Sequence, residues 1–186
     1  MRKIFLAGLI YILTAANIAS AAMLNVSDDN VQSFVHSIAD TIYTDEFQKE
    51  MPLLLTNAAK IENAELPEIG SVVWACQYGL KTSAQPDGEI LFFVNGEEKV
   101  AALKVVGYAE QSIQSAVELL IVALEKAGLT RADAEFLLNN LKDDEVLASS
   151  IVWSAEKNRC FVLIAGAQEK IPEGFQFTLV ANDKKD

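Results

Sequence analysis

The sequence predicts an α+β protein made of two helix-helix-three-strand units, and three observations point there. Segments with apolar residues at helical spacing come in pairs. Each pair is followed by three short stretches rich in β-branched and aromatic residues, parted by turn sequences. The second half also partly repeats the wording of the first. The expected organisation is a leader over 1–21, one unit over 22–107 and a second over 108–186. The antiparallel meanders should pack on helices, and the two units should close into one globular domain of ordinary size.

Met1, Arg2 and Lys3 open the chain with positive charge, and Ile4 to Ala16 follows without a charged residue. Ala19-Ser20-Ala21 then places small residues where a signal peptidase reads them, which is the three-part pattern of a secretory signal. The apolar run is short for a membrane span, which needs about 20 residues. Cleavage is expected after Ala21 or Ala22, leaving a periplasmic or secreted protein without a stable membrane anchor.

Ser27-Asp28-Asp29-Asn30 offers caps for a first helix with a stripe of Val31, Phe34, Val35, Ile38 and Ile42, ending near Glu50. Pro52 suits the first turn of a second helix, carried by Leu54, Leu55, Ala58, Ala59 and Ile61 to about Asn63. Pro67 and Gly70 mark its exit. Ser71 to Leu80 reads as a strand with Val72, Trp74, Cys76 and Tyr78 on one face. Pro86-Asp87-Gly88 turns the chain. Ile90 to Val94 is apolar on both faces, and so central. Asn95-Gly96 is the strongest hairpin signal, leading into a return strand from Glu98 to Val106.

The second unit follows the same order. Ser112 to Ala127 is apolar nearly all round, as a buried helix is, and Gly128 suits its C-terminal cap. Thr130 with Asp133 forms a capping-box pattern for a helix whose apolar side is Phe136, Leu137, Leu138 and Leu141. Ser149 to Ser154, Cys160 to Ala165 and Phe175 to Leu179 are the strands, with turns at Glu156-Lys157-Asn158-Arg159 and Pro172-Glu173-Gly174. Val31-Gln32-Ser33-Phe34-Val35 is echoed by Ile113-Gln114-Ser115-Ala116-Val117, and Val72-Val73-Trp74-Ala75 by Ile151-Val152-Trp153-Ser154. In this tandem order the chain resembles exported proteinaceous inhibitors of the β-lactamase inhibitor type, which implies a binding role.

The formal net charge of −11 disfavours nucleic acid and anionic lipid and favours a basic protein partner. Cys76 and Cys160, in an oxidising compartment, are expected to form a disulfide between two strands. His36 is the single histidine and stands beside the first helix's apolar stripe, with no nucleophile in pattern. Asp28-Asp29, Glu97-Glu98 and Asp143-Asp144-Glu145 read as solvated charge. The last lacks the alternating ligands and glycine of a calcium loop. No catalytic residue, metal site or cofactor is assigned. Asn25-Val26-Ser27 matches a glycosylation acceptor.

Acidity, a stapled scaffold and the lack of a catalytic constellation together point to a non-catalytic protein-binding factor of the immunity, inhibitor or accessory type. Its candidate interface is Trp74, Tyr78, Phe92 and Trp153. The alternative is a small-molecule or lipid carrier with a pocket between sheet and helices, lined by Trp74, Phe92, Leu120 and Phe161. A hydrolase with paired carboxylates is a third reading for which no pair stands out.

Overall fold

A computed structural model describes residues 23–61, 72–144, 147–167 and 173–183. The expected leader, the expected helix exit at Pro67–Gly70, Glu145 and Pro172 lie outside the described residues. Helices and one large antiparallel sheet make up the fold.

The first helix forms as its pattern demands. Asn30 caps α1 (Val31–Ile42) by accepting the Gln32 amide, and Val31, Phe34, Val35, Ile38 and Ile42 are its buried residues. Tyr43 and Thr44 interrupt it. Thr44 then caps a separate short helix, α2 (Asp45–Glu50), so the expected single helix to Glu50 is two. Ahead of α1 lie two short strands, β1 (Met23–Leu24) and β2 (Ser27–Asn30).

The helix expected from Pro52 is absent. The chain there runs extended as β3 (Leu53–Leu55) and β4 (Ala59–Ile61), both laid antiparallel on β5 (Val72–Leu80). The local signal was only a few apolar residues after a proline. Pairing with β5 satisfies the edge amides and carbonyls of a long strand, and that tertiary gain outweighs a weak helix preference.

The long strands fall close to their predicted places. They are β5, β6 (Gly88–Val94) and β7 (Lys99–Gly107) in the first half, then β9 (Leu147–Ser154), β10 (Arg159–Ala167) and β11 (Phe175–Asn182) in the second. The Asn95-Gly96 hairpin is present, with Asn95 Oδ1 accepting the amides of Glu97 and Lys99. Its left-handed residue is Glu98 rather than Gly96, so the loop is longer than a two-residue turn. Between the halves, α3 (Ile113–Lys126) ends at Gly128, whose φ of 96° only glycine adopts without strain. In α4 (Arg131–Asn139), Thr130 accepts the Asp133 amide as the capping pattern requires. Leu137 is buried, but Phe136 points to solvent at 49% exposure, contrary to expectation. A short β8 (Lys142–Asp144) completes the set.

The main path of the sheet runs β3-β5-β6-β7-β11-β10-β9-β8, every pair antiparallel. The last strands of the two halves, β7 and β11, lie side by side at its centre, with Leu103 opposite Leu179. Each half therefore runs outward from that seam in mirrored order. β1 adds to β11 at Ala181 and Asn182, and β2 to β7.

Strand alternation divides the side chains between two faces. One face shares a single buried cluster with the helices: Cys76, Tyr78, Ile90, Phe92, Leu103, Val105, Phe161, Leu163 and Leu179 meet Phe34, Ile38, Leu120, Leu124 and Leu137. Each such side chain contributes about 1.5–3 kcal/mol through removal from water. The opposite face carries a second cluster of Val73, Leu91, Phe93, Ala101, Ala102, Val162, Ile164 and Val180, to which no described helix contributes.

Candidate functional site

Two of the four predicted interface residues are core, and a third, Trp74, borders it. Phe92 is fully buried and meets Phe34 edge-on, ring centroids 6.1 Å apart. Tyr78 is 1% exposed and donates its hydroxyl to the Val106 carbonyl at 3.0 Å. Gly88 makes room for that contact, because a β-carbon there would strike both the Val106 oxygen and the Tyr78 hydroxyl. Burial raises the phenol well above its ordinary pKa, with Asp87 adding to the effect. Trp74 is opposite Phe92 in register and packs, half-buried, against the same core.

Trp153 is elsewhere. It pairs with Cys160, one residue out of step with Phe161, so it shares the face of Val162 and Ile164. The two tryptophans therefore lie on opposite faces of the sheet. The expectation that they form one surface is overturned, and the Trp74/Trp153 echo is not an equivalence of position. The carrier reading loses its pocket residues too. Phe92, Leu120 and Phe161 are each fully buried in the cluster that Trp74 borders.

The expected disulfide is likewise corrected: Cys76 and Cys160 are buried and not bonded to each other. Strands β6, β7 and β11 separate β5 from β10, which puts the two sites roughly 19 Å apart at the usual strand spacing. A disulfide needs Cα atoms within about 7 Å. Cys76 also faces the helices, and Cys160 faces away. Burial pushes the Cys76 thiol up to about 12, far from the reactive range.

The face turned from the helices holds what the sequence reading missed. Lys104 stands on it, 6% exposed, opposite Leu91 on one side and Thr178 on the other. Desolvation lowers its pKa to about 8, and the Glu89 carboxylate holds it from falling further. Tyr108 is pushed up to about 12 by burial and by Glu89, to which it hydrogen-bonds. Glu89 thus serves both neighbours. The legible signal was a single charge inside Val100-Ala101-Ala102-Leu103-Lys104-Val105-Val106. Farther across the same face, on β9, Ile151 stands opposite Val162 of the second apolar cluster and is 50% exposed, and Trp153 is half-buried.

Other candidate groups are dispersed. His36 is solvent-exposed and lies 3.7 Å from Asp40 one helical turn on. Asn25 accepts from the Asn95 side chain at 2.9 Å. Arg159 anchors the chain before α1, bonding the Asn25 carbonyl, the Asp28 carboxylate at 2.7 Å and the Lys157 carbonyl. Among the described residues, no three His, Cys, Asp or Glu side chains converge as a metal site would require. Among the same residues, no helix is long and apolar enough to cross a membrane.

No family model matches the chain, and no curated protein or solved structure matches it either. The resemblance to inhibitors of the β-lactamase inhibitor type thus remains one of element order alone.

Proposed function

We propose that this is an exported, non-catalytic factor that binds another protein, of the immunity, inhibitor or accessory kind. Its contact surface would be the sheet face turned away from the helices, at the β9 side. The observation that carries this reading is Ile151, an isoleucine half in solvent on the same face as Trp153, bordering an apolar cluster made, among the described residues, by strands. The leader pattern supplies the address. The acidity of the chain favours a partner with basic surface around an apolar contact.

We read the two halves as copies of one ancestral unit, meanders resting on their own helix pairs. The mirrored strand order about the β7–β11 seam supports this. So does the Val31/Ile113 echo, which falls on the first residues of α1 and α3.

The test begins with N-terminal sequencing of the exported protein, expected to start at Ala22 or Met23. Partner capture then compares wild type with Ile151→Asp and Phe136→Ser. Loss of binding in Ile151→Asp alone supports the surface. Loss in Phe136→Ser alone moves the contact to the helix side and overturns it.

A further inference from the structure

The sheet face turned from the helices is dry across most of its width. One row of side chains crosses it from strand to strand, each residue being the register partner of the next: Val73, Phe93, Ala102, Val180, Val162 and Ile151. The first five are at most 6% exposed, and Ile151 is 50% exposed. A sheet face this wide stays out of water only beneath a second layer. The cluster to which the five belong is built from strand residues, so no described element supplies that layer. The chain is alone, so the layer is its own. It stops between β10 and β9, where exposure jumps.

The stretches of sequence outside the described residues differ in composition. Residues 62–71 carry Glu62, Glu65 and Glu68, residues 168–172 carry Glu169 and Lys170, residues 184–186 are all charged, and residues 145–146 are a short pair that includes Glu145. Charge laid on an apolar cluster is costly. Residues 4–16 alone are both long and uncharged. Their length suits the row. From β5 to β10 the sheet is about 19 Å wide, and residues 4–16 wound as a helix would run about 20 Å. Their attachment suits it too. β1 holds Met23 against Asn182, two residues along β11 from Val180, so the chain before Met23 leaves within about 7 Å of the row. Residues 17–22 add up to about 20 Å of reach. Ala102, in the middle of the row, leaves room for a close approach.

We infer that in the uncleaved chain residues 4–16 lie across this row, and that cutting the leader away uncovers it as the surface the partner meets. The inference rests on the leader and the binding face proposed above, and adds a timing to them: the surface is blocked before export and open after it. Ile151 lies just past the end of the cover and is exposed in both states. Lys104 stands one row further along, between Leu91 and Thr178, and is buried in the covered state.

Alkylation of Val180→Cys tests it, since that substitution puts a thiol in the middle of the row, and Cys76 on the helix side is the internal control. Rates are read by peptide mass in the full-length chain made without export and in the exported protein. The expected result is slow labelling of both sites at full length. After cleavage Val180→Cys should label at least a hundredfold faster while Cys76 stays slow. Ile10→Lys, which puts a charge in the covering run, should also speed Val180→Cys at full length. Equal rates at Val180→Cys in the two chains overturn the inference. So does a Cys76 that quickens alongside it, because residues 4–16 would then be core and not cover. A face that opens on cleavage without any partner captured through Ile151 refutes the binding reading and keeps the cover. A partner that binds the full-length chain as tightly as the exported one refutes the cover and keeps the binding reading. An exported protein that retains residues 4–16 overturns both.

Discussion

Labelling of the two thiols tests the strand order directly. The perturbation is unfolding, and the readout is the rate at which an alkylating or disulfide reagent reaches Cys76 and Cys160. In the folded protein Cys76 is 1% exposed and Cys160 4%. The reactive species is the thiolate. With the Cys76 pKa carried from its ordinary 9.0 to about 12, the thiolate fraction at neutral to mildly alkaline pH falls about a thousandfold. Burial of the sulfur slows reaction further, because the reagent must wait for an opening. Native protein should therefore label at least a thousandfold more slowly than protein in concentrated guanidinium. Once unfolded, both cysteines should label fully without any reductant, and the intact mass should be that of the dithiol. A protein two hydrogens lighter, resistant to labelling until reduced, would refute the reasoning. It would require β5 and β10 to lie within disulfide reach, whereas three strands lie between them.

Further outcomes follow from single side chains. Phe92→Ala should lower the unfolding free energy by about 3–5 kcal/mol in urea titration, since it empties a fully buried site against Phe34. Arg159→Ala should cost about 2–3 kcal/mol, because its guanidinium is 90% covered and the Asn25 and Lys157 carbonyls lose their donor. Asp28→Ala, whose carboxylate is largely in water, should cost under about 1 kcal/mol. Lys104 sets a pH dependence. Its folded pKa lies below the unfolded value of 10.5, so the unfolded chain holds that proton more tightly and stability climbs as pH rises through about 8. The full relief is roughly 3 kcal/mol. Urea midpoints from pH 7 to 9.5 should rise in wild type and fall slightly in Lys104→Met, where the Cys76 thiol, at 9.0 unfolded and about 12 folded, is left as the group titrating near the top of the window, which stops short of Tyr108 ionisation.

Much of the fold is legible locally. The α1 stripe, the Thr130 cap, Gly128 and the Asn95-Gly96 hairpin depend on residues within one turn or hairpin of each other, and the structure places each where the pattern does. What escapes depends on distant neighbours. Leu53 to Leu55 are extended only because β5 is there to receive them. Alternation shows that Trp74 and Cys76 share a face, but it says nothing of whether that face is also Trp153's or Cys160's. That requires the strand order, which two short turns and two helix pairs do not encode in any local pattern. Lys104 is an apolar strand's exception, and a sequence alone does not tell a buried charge from an edge one.

The β7–β11 seam sets when the molecule can fold. Every pairing in the first half of the sheet can form as soon as Gly107 has been made, yet β7 then offers a bare apolar edge, and its proper neighbour is the final strand. β1 waits for that strand too, Met23 finding its place only against Asn182. Loop closure over such separations is slow, and such topologies fold on the slower end of the range for their size. A ribosome-bound or partly translocated chain is therefore held open until its C-terminus is released. For an exported chain, as proposed above, that keeps it threadable for as long as a channel needs. It also leaves one strand edge in need of a chaperone's cover for the same interval.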